Sequence, residues 1–128
     1  MSEVPPLPAL EAIRRQLVSD SENDRWAGAA DLGEYAFARP EQAWPLVVEF
    51  GSSSVEDTRA AIATCVLEHI LEHHFDTYFP LLVSEIEQRN NHSLADTLSF
   101  CSKFGQAREF SRATLWDSLL TRSKRGAG

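Results

Sequence analysis

Cysteine is scarce in this chain: Cys65 and Cys101 are its only two, far apart and outside any closely spaced pair. A disulfide scaffold, a cysteine zinc site and a dithiol redox motif are therefore not expected. Long apolar runs are missing as well. No segment approaches the roughly 20 residues that span a bilayer, so no membrane association is expected. The first residues, Met1 to Pro8, lack the basic-then-apolar order of a secretory signal, which makes the cytoplasm the expected compartment. Positive charge is also in short supply, with 12 Lys and Arg against 19 Asp and Glu and a net charge of −7. That balance opposes attraction to phosphate backbones, so no nucleic-acid partner is expected. The basic cluster Arg122-Ser123-Lys124-Arg125 runs straight into Gly126-Ala127-Gly128. It reads as a solvated end, giving one domain over 1–122 and a flexible C-terminal tail over 123–128.

What is present is repetition. Ser21-Glu22-Asn23-Asp24-Arg25-Trp26-Ala27 returns about 34 positions later as Ser54-Val55-Glu56-Asp57-Thr58-Arg59-Ala60-Ala61. Each copy opens on Ser-x-x-Asp, whose serine oxygen can accept from an orphan amide at a helix start. A second element, Ala43-Trp44-Pro45-Leu46-Val47, returns about 35 positions on as Tyr78-Phe79-Pro80-Leu81-Leu82. A weaker third copy, Thr114-Leu115-Trp116, keeps the aromatic and loses the proline. Proline there should open the helix or kink it. Trp44 and Trp116, at equivalent places, are expected in the core.

Apolar periodicity predicts helices over about 8–19, 23–37, 41–50, 56–74, 77–89, 92–104 and 109–122, and no strand. Short connections make neighbours antiparallel. A proline within the first helix of a pair, followed by Asp57-Thr58-Arg59-Ala60-Ala61 at the start of the second, resembles the HEAT repeat. The resemblance implies an all-α superhelical solenoid, HEAT-like or armadillo-type, of about three stacked helix pairs plus a capping helix. It also implies that Asp24, Arg25, Asp57 and Arg59 form a structural ladder between repeats. As a fold it carries many functions.

On the helix from Asp57 to His74, Ile62, Ala63, Val66, Leu67, Ile70 and Leu71 share one side at 100° per residue. Cys65, His69 and Glu72 lie opposite, with His73 at the margin and Glu68 nearby. Stacking second helices at an offset of about 34 residues places Asp31 and Tyr35 on one flank and Ser99 and Lys103 on the other. The expected concave binding face is thus Asp31, Tyr35, Cys65, Glu68, His69, Glu72, Ser99 and Lys103.

Two chemical alternatives attach to that face. His69-Ile70-Leu71-Glu72-His73 matches the His-x-x-Glu-His zinc motif, in which histidines one turn apart share a metal and the glutamate polarises water. The known enzymes add a distant ligand and a walled cleft, which a chain of this size has little room to supply. Cys65 and His69, one turn apart, could form a reactive thiol pair, but no oxyanion hole or third residue is identifiable. A solvated helix face explains the same residues. Cys101 aligns with Leu67 and should be buried, and Gly105 is expected to cap the helix before it.

The reading that follows is a non-catalytic protein-interaction module without cofactor, binding on its concave face. Its partner is an unidentified protein, and the acidic charge suits a basic one through electrostatic steering. An immunity-type inhibitor and an adaptor both fit. The alternative is a metal-dependent hydrolase or metal-binding module centred on His69, Glu72 and His73. The apolar residues of the last helix, among them Phe110 and Leu115, allow a monomer or a weak homodimer.

Overall fold

Among residues 6–127, which the computed structural model describes, every regular element is helical. The first is α1 (Leu10–Leu17), which buries Ile13 and Leu17. α2 (Glu22–Gly33) starts as its sequence dictates: Ser21 accepts from the Asp24 amide at 3.4 Å, and Glu22 and Asp24 place negative charge in the first turn. α3 (Pro40–Gly51) opens on a proline, whose missing N–H is an orphan there anyway. Next come α4 (Glu56–Ile62), a wider π-helical turn over Ala63–Leu67 and α5 (Glu68–Val83), followed by a second π turn over Ser84–Gln88. Then α6 (His92–Ser99) starts on Asn91, whose side chain accepts from Leu94 N–H at 3.0 Å. A 3₁₀ turn (Gly105–Arg108) leads to α7 (Phe110–Ala127). Glu109 caps α7 by accepting from the amides of Ser111 and Arg112, both at 3.1 Å, and the Ser111 hydroxyl together with these amides holds its carboxyl below the ordinary value.

Several expected boundaries shift. α2 stops at Gly33 rather than near 37, and α6 at Ser99 rather than near 104. α7 continues to Ala127, past the Arg122 where the domain was expected to end. Neither Pro45 nor Pro80 opens a helix; each sits inside one. The break in the α4–α5 run falls instead at His74 (φ −138°, ψ 42°), which divides it where two helices were expected. Both lie past the first turn of their helical stretch, so each forgoes the hydrogen bond to the carbonyl four residues before it, that of Glu41 or Asp76.

The helices form two linked rows. α2 packs on α4 and α4 on α6, while α1 and α3 pack across onto α2 and α4. The Arg25 guanidinium donates to Asp57 (3.1 and 3.3 Å) and to the Ser19 carbonyl (3.1 Å). Arg59 repeats this pattern on Asp96 (2.9 and 3.3 Å) and the Ser53 carbonyl (2.8 Å). Asp57 also accepts from Trp26 Nε1 at 2.8 Å. Of the expected ladder residues, Asp24 stays local, bonded to Ser19 and Ser21. Across the other row run the pairs Arg14–Glu49, Arg112–Asp76 and Arg122–Glu87, with Trp44 against Tyr78.

One apolar core unites all of this, and Ile62, Ala63, Val66, Leu67, Ile70 and Leu71 are all fully buried in it. Trp116 is in it at 2% exposure, whereas Trp44 is only partly buried. α2 and the π turn meet very closely: a Cβ on Gly33 would stand 2.3 Å from the Cys65 carbonyl oxygen. Any side chain at that position would push the two helices apart. No buried side-chain nitrogen or oxygen among the described residues lacks a hydrogen-bond partner. None of the helices described is long and apolar enough to cross a membrane.

Candidate functional site

Helical spacing brings part of the expected face together on the α4–α5 run. His69 Nδ1 lies 2.9 Å from Glu72 Oε1, and the same oxygen is 3.6 Å from His73 Nε2. His69 Nε2 is 3.8 Å from Glu68 Oε2. Two imidazoles therefore converge on one carboxylate oxygen, with a second carboxylate behind. Cys65, one turn earlier, is half-buried, and so is Asp31 on α2. Ser99 is exposed on α6, its hydroxyl folded back onto the Asp96 carbonyl.

Three expected members of the face behave otherwise. Tyr35 is 4% exposed and belongs to the core; its hydroxyl donates to the Pro8 carbonyl. It lies in the turn after α2, where the chain bends inward, so the helical offset that put it beside His69 does not apply. Glu68 is 7% exposed, because residues after α6 fold over it and the Ser102 amide donates to its Oε1 at 3.1 Å. Burial pushes its carboxyl up; the Ser102 bond and His69 oppose this, and Glu72 adds to it. Lys103 turns away to α7, pairing with Asp117 at 2.8 Å and lying 5.3 Å from the centre of the Trp116 ring.

The thiols are set against reactivity. Burial raises the Cys65 thiol above its ordinary value; a bond with Thr64 opposes this, and the nearby Glu68 charge adds a smaller rise. A reactive cysteine needs the reverse shift. Cys101 is driven further up by burial, its sulfur donating to the Ala63 carbonyl at 3.4 Å. No group of three or more His, Cys, Asp or Glu side chains among the described residues is arranged to hold a metal ion.

Aromatic residues outside the expected set complete the site. Phe37, 67% exposed in the turn after α2, meets the His73 ring edge-on at 4.9 Å. Phe104, 39% exposed beyond α6, stacks parallel to His69 at 6.1 Å. The result is a continuous row, Phe37–His73–Glu72–His69–Phe104, running across three helix ends. Phe37 and Phe104 fall at the expected last positions of their helices, and it is the earlier ends of α2 and α6 that leave them in the segments between helices.

The joint at His74 anchors this row. Breaking the helix frees the His73 carbonyl and the Phe75 amide, and the Gln106 side chain satisfies both, donating at 2.8 Å and accepting at 2.9 Å. His74 Nε2 reaches the Phe37 carbonyl at 2.6 Å. Gly105 (φ 49°) does not cap α6; it opens the 3₁₀ turn in the left-handed conformation, where its lack of Cβ admits the Glu72 carbonyl. Open surface depressions lie elsewhere, between α6 and α7 (Ala95, Ser99, Leu120) and between α1 and α3 (Leu10, Arg14, Pro45). Comparisons with protein-family models, curated proteins and solved structures give no match to this chain.

Proposed function

We propose that the chain is a non-catalytic protein-interaction module: a HEAT-like superhelical stack of about three helix pairs with a capping helix, holding a protein partner on the surface of α2, the α4–α5 run and α6. The stack is supported by Arg25 and Arg59, which sit at the same place in successive copies and make the same two kinds of contact. The observation that carries the binding reading is the exposure of Phe37 and Phe104 beside the accessible His69 and Glu72. Large exposed rings rimmed by polar groups mark interaction surfaces. An acidic chain of this kind suits an inhibitor of the immunity type or an adaptor, and the partner's identity separates the two.

The test is capture from native lysate on immobilised protein, followed by titration of the captured partner in purified form. Thr64→Arg and Ser99→Arg, at exposed positions of the surface, should each weaken binding about tenfold, equivalent to roughly 1.4 kcal/mol. Gln42→Arg, exposed on α3, should leave it unchanged. Full binding by both surface variants, with helical content intact by circular dichroism, would remove this face from consideration.

A further inference from the structure

We infer that the row Phe37–His73–Glu72–His69–Phe104 is a receptor for an arginine side chain presented by a basic segment of the protein partner. This rests on the interaction-module reading and narrows it to a chemistry.

The argument starts from how this molecule handles its carboxylates. Those that tie successive helices together each take a Lys or Arg: Glu49 with Arg14, Asp57 with Arg25, Asp76 with Arg112, Glu87 with Arg122, Asp96 with Arg59 and Asp117 with Lys103. Glu68 and Glu72 depart from that pattern. Their contacts are imidazoles and a backbone amide, and no guanidinium or ammonium of the described residues pairs with either. Arg39 and Arg108, the arginines nearest in sequence to Phe37 and Phe104, form no ion pair with them. Glu72 Oε2 makes no hydrogen bond among the described residues, which leaves an acceptor free on the carboxylate between His73, which meets Phe37, and His69, which stacks on Phe104.

Placement adds to this. α2 ends at Gly33, the α4–α5 run breaks at His74 and α6 ends at Ser99. Phe37 follows the first end and Phe104 the last, with His73 at the break between them. The contacts within the row bring both rings, the two imidazoles and Glu72 to one edge. The ligand this edge suits is planar, cationic and able to lie on a ring while donating to a carboxylate. Guanidinium has all three properties, and ammonium lacks the planar face. An arginine lying on one of the exposed rings with its N–H groups on Glu72 Oε2 would join the aromatic surface to the free acceptor.

The experiment follows the Phe and His ring signals of the full chain by NMR during titration with three matched peptides, bearing two arginines, two lysines or two glutamates among glycines. Saturable shifts at Phe37, His73 and Phe104 are expected with the arginine peptide, weaker ones with lysine and none with glutamate. Phe37→Ala and Glu72→Gln should each weaken the arginine peptide about 2- to 5-fold, the range of an exposed cation–π contact for the first and of an exposed ion pair for the second. Absent ring shifts, equal response to the glutamate peptide, or unchanged affinity in both variants would overturn the assignment. Failure here is distinct from failure of the module itself. If Thr64→Arg and Ser99→Arg abolish partner binding while Phe37→Ala and Glu72→Gln spare it, the module stands and the arginine receptor falls.

Discussion

The two rungs built on Arg25 and Arg59 and the stretch from Phe100 to Glu109 serve the same purpose by different chemistry. In the first region one rule is used twice, with an arginine clamping its own preceding turn and an aspartate on the next helix. At the next position of the series the chain has Ser93, and the rule stops. Packing there is maintained by single substitutes: Ser102 on Glu68, Gln106 across the His74 joint and Lys103 on Trp116. Regularity ends where the candidate site begins. A site needs groups turned toward one point, and a strict repeat turns them all the same way.

That contrast can be broken at its regular end with the largest effect. Asp57→Ala removes the partner of Arg25 and of Trp26 Nε1 together, both partly buried, and should cost about 1–3 kcal/mol in urea unfolding. Asp96→Ala, whose carboxylate is half exposed and serves Arg59 alone, should cost under about 1 kcal/mol. Equal costs would show that Trp26 adds nothing to the first rung.

At the irregular end, Gln106→Ala should destabilise by about 1 kcal/mol, since the two groups it frees lie near solvent. Its sharper signature is local: hydrogen exchange at the Phe75 amide should accelerate well beyond that at Ile62 or Leu71. Uniform acceleration would mean that the joint is not an independent element.

The smallest effect concerns Glu68. Its folded pKa is raised, so the stability this confers is fully present below the ordinary carboxylate value of about 4.3 and is lost as pH rises through the folded value. Glu68→Gln should therefore raise the melting temperature at pH 7 by about 1–3 °C, and the two melting curves should converge below about pH 4. Glu49 and Asp76, whose values are lowered by Arg14 and Arg112, act with the opposite sign. Being common to both proteins, they cancel in the difference. A gap that persists at pH 3.5 would assign the effect to packing.

Much of the architecture was readable because its causes are local. Ser21 announces a helix start, and the apolar spacing from Ile62 to Leu71 names the buried side of its helix. Arg25 and Arg59 were expected as ladder residues through the resemblance to the HEAT repeat, and both bond across to the next helix of their row. The site was half legible. His69 and Glu72 sit on the accessible side as their spacing requires, while Tyr35, Glu68 and Lys103 were misplaced for one reason. Each placement assumed that helical geometry carries on past the point where the chain leaves the helix or folds back over it.

By itself, then, the sequence determined the helical class, the buried stripe of the central helix and the excess of negative charge, because each follows from spacing or composition. Only the tertiary structure decided that α6 ends early enough for Ser102 to cover Glu68. It also decided that Gln106 closes the joint at His74 and that Phe37 and Phe104 flank His73 and His69. Those outcomes depend on which unpaired backbone groups meet which side chains across intervals of more than 30 residues, a matter of packing that no local pattern encodes.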